Sequence, residues 1–152
     1  MEAQAPFRVE YGARLRLLAA VAAVFFAIDQ ISKLAAAALD PRWYVHNPKP
    51  HAGWWIPLAM AFAVCLLPGL RFAAAGGVWV GGAAGNVVDL YVWPGGVPDF
   101  IRTPWPHGIW NLADFFILLG AVLLGALIVP WPFLALRRRR RHGGTVQSWL
   151  RG

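Results

Sequence analysis

Apolar residues in this chain gather into four long blocks. The first runs from about Leu15 to Leu39, the second from Trp54 to Leu70, the third from Phe72 to Val92, and the fourth from Leu112 to about Leu136. A helix needs about 17 to 25 largely apolar residues to cross a bilayer core, and each block has roughly that length. The pattern predicts an all-α membrane protein of four transmembrane helices. Pro57 is tolerable in the first turn of the second block, and Pro68 stands near its end. Pro130 and Pro132 are expected to bend the fourth helix near its exit.

Composition agrees with that pattern. Of the 152 residues, 59% are hydrophobic and 14% charged, whereas ordinary soluble domains carry about a quarter charged residues. Too little polar surface remains to coat a soluble globule. The net charge of +7 invites a nucleic-acid reading, but five of the fourteen basic residues form one run, Arg137 to Arg141. The others are scattered and make no basic stripe, so no nucleic-acid partner is expected. The single cysteine, Cys65, excludes an internal disulfide and is read as a small apolar filler.

Arginine placement orients the spans. Arg8, Arg14 and Arg16 precede the first block, Arg71 lies between the second and third, and Arg137 to Arg141 follow the fourth. Four crossings put all three sites on one side, which the positive-inside rule makes the cytoplasm. Both termini are then cytoplasmic. The longer connections, about Asp40 to Gly53 and Trp93 to Asn111, face outward. Six of the nine tryptophans (43, 54, 55, 93, 105 and 110) lie in or beside them, as an interfacial aromatic belt requires. Residues 1–136 are expected to form one four-helix domain and 137–152 a basic cytoplasmic tail. A cleavable signal peptide is the rival for the first block, since Arg14 and Arg16 precede an apolar stretch and four alanines. The polar Asp-Gln-Ile-Ser-Lys between that stretch and the alanines argues for a retained span.

Acidic residues are few. Beyond residue 10 there are only Asp29, Asp40, Asp89, Asp99 and Asp114. At 1.5 Å per residue, Asp29 lies roughly 21 Å from the inner end of its span and Asp89 roughly 25 Å. Asp114 falls in the first turn of the fourth helix and Asp99 in the loop before it. The carboxylates therefore converge near the outer boundary, where a charge inside a span costs about 2.5 to 3.5 kcal/mol and marks a functional candidate. Asp29 and Lys33, at i and i+4, also suit a purely structural ion pair. Asn86 and Asn111 suit interhelical hydrogen bonding. Asp99 and Asp114 have no basic partner at helical spacing, and Asp114 also suits a helix N-terminus.

In order along the chain, these residues resemble the lipoprotein signal peptidase (signal peptidase II) family of intramembrane aspartic peptidases. D-Q-I-S-K (Asp29 to Lys33) is similar to the family's D-x-x-x-K. G-N-V-V-D (Gly85 to Asp89) and G-V-P-D-F-I (Gly96 to Ile101) resemble the two ends of G-N-x-x-D-R…G-x-V-x-D-F-I, and W-N-L-A-D (Trp110 to Asp114) resembles F-N-x-A-D. The resemblance covers nearly the whole chain and makes this a divergent member. It implies Asp99 and Asp114 as the catalytic pair, with Asp29, Lys33, Asn47, Asn86, Asp89 and Asn111 as supporting residues. It implies a loop and β platform on the extracytoplasmic side of a bacterial inner membrane. The implied substrate is a prolipoprotein whose cysteine carries diacylglycerol, cut on the N-terminal side of that cysteine. A monomer in contact with membrane lipids, with no metal and no cofactor, is expected. Departures from the pattern are Leu90 in place of arginine, one extra residue between Asp89 and Asp99, and N-P-K-P-H-A-G from Asn47 instead of N-x-G-x-A-F. Arg102 lies close enough in sequence to be a substitute guanidinium.

Two other functions remain open at this level. One is a non-catalytic relative that binds lipid or lipidated peptide, motivated by Leu90 and the altered outer loop. The other is a transporter or metal binder using His46, His51 and His107, although their spacing matches no metal-ligand motif. Asp40 gains no role.

Overall fold

The computed structural model describes residues 5–39, 44–47, 55–67, 69–104 and 108–130. The elements are α1 (Ala5–Leu39), β1 (Val45–Asn47), α2 (Trp55–Leu66), α3 (Leu70–Val92), β2 (Val97–Asp99), β3 (Ile101–Arg102), β4 (Ile109–Trp110) and α4 (Leu112–Ile128). Within α1, Tyr11–Leu39 is long and apolar enough to cross a membrane by itself, and α4 is a shorter apolar helix. The break between the second and third blocks falls at Leu67–Gly69, earlier than the expected Arg71. Gly69, with φ 94°, turns the chain where a side chain would be strained, and Arg71 enters the first turn of α3. Asp40, His51, His107 and the tail 137–152 lie outside the described residues.

Side-chain burial inverts the pattern of a soluble protein. Asp29, Lys33, Asp89 and Asn111 are at most 1% exposed, while Ile31, Leu34, Phe62, Leu66 and Val122 are each more than half exposed. A water-soluble fold hides its apolar side chains and solvates its charges. An apolar exterior around buried charges is what a lipid solvent selects.

The bundle is organised around α3. Glycines 77, 81 and 85 face α1 one turn apart. A Cβ on Gly77 would lie 2.7 Å from Val21 Cβ, one on Gly81 would lie 2.6 Å from the Ala22 carbonyl oxygen, and one on Gly85 would collide with the Asp29 carboxylate. Small residues at this spacing let two helix backbones approach closely. The same pairs ascend together along both helices, so α1 and α3 run parallel. On another face of α3, Gly82 meets the Ala113 carbonyl and Trp79 packs on Gly120, so α4 runs antiparallel. At the opposite end from Asp89, Val64, Phe72, Ala75 and Leu124 form an apolar cluster against Leu18, Leu67 and Leu127. There Arg14 of α1 donates to the carbonyl oxygens of Cys65 (2.8 Å) and Leu67, satisfying acceptors exposed where α2 ends.

Above the other end lie two small antiparallel ribbons. β1 pairs with β2, setting Val45 opposite Asp99 and Asn47 opposite Val97. β3 pairs with β4, setting Ile101 opposite Trp110. The positive φ of Gly95 and Gly96 lets the chain leave α3 and double back into β2.

Candidate active site

The polar residues form one connected network with a dry inner part and a cleft-lining outer part. In the inner part, Lys33 Nζ lies 2.6 Å from Asp29 Oδ2 and also pairs with Asp89 Oδ2. The i, i+4 pairing of Asp29 and Lys33 is present, and the lysine is shared across helices with Asp89. Asp29 also accepts from the backbone N–H of Ala113 at 2.9 Å, tying α1 to the start of α4. Gln30 Nε2 donates to Asp89 Oδ1 at 3.0 Å and to Asp29 Oδ2 at 3.2 Å. Sequence reasoning passed over Gln30, although an amide beside Asp29 in an otherwise apolar block was a signal.

Asn86 joins the two parts. Its Oδ1 accepts from Lys33 Nζ at 3.2 Å and from Asn111 Nδ2 at 3.1 Å, and its Nδ2 donates to Asp114 Oδ1 at 2.9 Å. Asn111 is the N-cap of α4. Its side chain accepts from the Asp114 backbone N–H at 3.1 Å, while Asp114 Oδ2 accepts from the Asn111 backbone N–H at 3.0 Å, a reciprocal capping box. Asp114 thus stands in the first turn of α4 and closes its capping box. Asn111 Nδ2 also donates to Asp99 Oδ1 at 2.7 Å, so one buried asparagine bridges Asp99 and Asp114.

Asp99 is 7% exposed. Burial and the neighbouring Asp114 charge push its carboxyl from the usual 3.8 up to about 6, against hydrogen bonds from Asn111 and Asn47 and the more distant Lys33 charge. Both carboxylates line a cleft of about 510 Å³ together with Asn47, Asn86 and Asn111. The cleft is also bounded by Val97, Ile109 and Trp110 of the ribbons and by Ile117, Leu118 and Ala121 of α4. Such a space can hold an extended peptide segment beside the acids and apolar groups along α4.

All eight candidate residues thus fall in one network. Among the described residues, His46, Leu90 and Arg102 stand outside it. His46 lies 3.3 Å through Nδ1 from the Gly96 carbonyl oxygen and stacks edge-on with Tyr44. Among the described residues, no group of three or more His, Cys, Asp or Glu side chains is arranged to hold a metal. Leu90 is half-buried on α3, and Arg102 is exposed on β3, opposite the cleft-lining Ile109 without lining the cleft itself.

Residues 52–129 match the family model described as signal peptidase (SPase) II. This chain belongs to the signal peptidase II family. It is 33% identical to a lipoprotein signal peptidase of Aeromonas hydrophila over 139 aligned residues, covering 68% of this chain and 83% of that one. It is 29% identical to a lipoprotein signal peptidase of Mycobacterium avium over 163, covering 84% and 87%. A lipoprotein signal peptidase of Caldanaerobacter subterraneus is 44% identical over a shorter stretch of 50 residues, 33% of this chain and 34% of that one. Family membership supports the general identity of a membrane-associated peptidase of lipoprotein processing.

Proposed function

We propose that this protein is a membrane aspartic endopeptidase that removes signal peptides from diacylglyceryl-modified prolipoproteins, cutting N-terminal to the lipidated cysteine. The four helices span the bacterial inner membrane with both termini in the cytoplasm and the cleft near the outer face. The observation that carries this reading is the bridge from Asn111 to both Asp99 and Asp114 at the floor of one cleft. The antiparallel order of α3 and α4, and the contact of Arg14 with the end of α2, support an even number of crossings.

Two carboxyls held this close in a partly dry site do not both ionise comfortably, so one retains a proton. The ionised member takes a proton from water as the water oxygen attacks the scissile carbonyl carbon. The protonated member gives its proton to the carbonyl oxygen. Collapse of the resulting gem-diol breaks the C–N bond, the departing nitrogen takes the proton held by the base, and the acid recovers a proton from a diol hydroxyl. Atoms balance as the peptide plus one water. The apolar α4 wall offers a surface for lipid chains.

Purified protein, incubated with a diacylglyceryl-modified precursor, is expected to release a signal peptide ending one residue before the lipidated cysteine. Leu90, where the family motif has arginine, favours a second reading as a lipopeptide-binding relative without turnover. Retention of lipopeptide with no cleavage at any pH from 5 to 8 would select that reading.

A further inference from the structure

The proposed acid pair is symmetric in residue type and asymmetric in surroundings. Both oxygens of Asp114 meet N–H donors: Asn86 Nδ2 at Oδ1 and the Asn111 backbone at Oδ2. A side-chain amide can turn over and offer its oxygen instead, so what holds Asn86 decides the matter. Its Oδ1 faces Lys33, and an ammonium has three donors and no acceptor. Only the oxygen of Asn86 suits that neighbour, which leaves the NH₂ directed at Asp114. Asn111 is fixed by the same logic, because its Oδ1 caps the Asp114 backbone N–H and its Nδ2 must then face Asn86 and Asp99. Lys33 is itself anchored by Asp29 and Asp89 and is 1% exposed.

We propose that Lys33 and Asn86 are positioning residues that keep donors against Asp114 and so place the proton of the pair on Asp99. A protonated Asp114 would need an acceptor beside one of its oxygens, and the fixed amides present none; Asp99 also meets two amides, Asn111 and Asn47, and the Asn47 amide can turn its oxygen towards a protonated Asp99. This inference rests on the catalytic reading above and assigns its roles: Asp114 is the base towards water, and Asp99 is the acid towards the carbonyl. The charged groups around Asp114 are Asp99 at the end of β2, Lys33 and Asp29 from α1, and Asp89 from α3. His46 on β1 is turned to the Gly96 carbonyl, and Arg102 on β3 is exposed. The greater burial of Asp99, and its rise to about 6, agree with a proton resident there.

The variant that tests this is Asn86→Asp in the full-length protein. One oxygen of the new carboxylate still accepts from Lys33, while the other confronts Asp114 Oδ1 with an acceptor. A proton is then drawn between residues 86 and 114, and the free base is lost at low pH. The acidic limb of kcat/KM for a lipidated precursor is expected to move up by about one pH unit or more, a loss of roughly tenfold at pH 6 that recovers by pH 8. A profile parallel to wild type, lowered equally at every pH, would overturn the proposal. If Asn86→Asp fails to accumulate, Lys33→Met with Asp89→Asn keeps the net charge of the inner cluster while freeing the Asn86 amide, and the same shift is expected. A second readout needs no turnover. In ¹³C-carboxyl spectra of the wild type in micelles, assigned with Asp99→Asn, the Asp99 signal is expected to titrate near pH 6. An Asp99 signal already that of a carboxylate at pH 5 would also overturn the proposal. Wild-type protein with the proton held on Asp99 and no cleavage of precursor would refute the catalytic reading and leave the positioning one standing.

Discussion

The inner and outer carboxylate clusters are built from the same residue type and are put to different uses. Asp29 and Asp89 close on a lysine that they share, and the trio is shut away from solvent. Asp99 and Asp114 are held by neutral amides and face a cleft. A cation shared between helices ties its carboxylates in place, whereas carboxyls held by neutral donors beside a cleft stay open to a substrate. The inner cluster is therefore a clamp on α1, α3 and α4, and the outer cluster is the pair proposed to react.

The largest effect expected from this contrast is at the outer pair. Asp99→Asn or Asp114→Asn should lower cleavage of a lipidated precursor by roughly 10²- to 10⁴-fold while the protein still accumulates in membranes. Lys33→Met should act in the opposite sense, on folding first. It leaves two buried carboxylates without their cation, at a cost of about 3 to 5 kcal/mol. Thermal unfolding in detergent should show that loss, and adding Asp29→Asn and Asp89→Asn should recover much of it. Unchanged stability in Lys33→Met would erase the distinction between the two clusters.

The pH dependence sharpens the outer half. Asp99, raised to about 6, keeps its proton up to that pH and loses it above. Where that proton is needed, kcat/KM should fall about tenfold per unit above pH 6, and a rate profile to pH 8 checks it. Gly81→Ala bears on the inner half. The new methyl would sit 2.6 Å from the Ala22 carbonyl oxygen and 2.9 Å from Phe25 Cβ, forcing α1 from α3. A loss of about 1 to 3 kcal/mol is expected in the same unfolding assay. The smallest effect belongs to Arg102→Ala. Its side chain is exposed and does not line the cleft, so cleavage should stay within about twofold of wild type. A large loss there would make Arg102 the substitute for the guanidinium missing at Leu90.

Much of this contrast could be read from sequence because it is local. Asp29 and Lys33 lie one turn apart on one helix, and Asn111 stands three residues before Asp114, the spacing of a capping box. The Lys33–Asp89 pair and the Asn86 bridge connect different helices, and no local spacing encodes which helices meet. A signal for that meeting did exist in the glycines at 77, 81 and 85, whose four-residue repeat marks a close helix contact. The partnering of β1 with β2 was legible only as a platform of unspecified form. Strands of three residues carry too little alternation to declare a partner. α3 starts at Leu70, two residues before the expected Phe72, because Gly69 makes the turn and Arg71 is admitted to the first helical turn.

The central claim is that Asp99 and Asp114 hydrolyse the peptide bond before a lipidated cysteine. The most direct measurement is mass spectrometry of a diacylglyceryl-modified precursor after incubation with purified wild-type protein or with Asp114→Asn. The account predicts a signal peptide ending immediately before the lipidated cysteine with the wild type, and intact precursor with the variant. Equal cleavage by both proteins would contradict it.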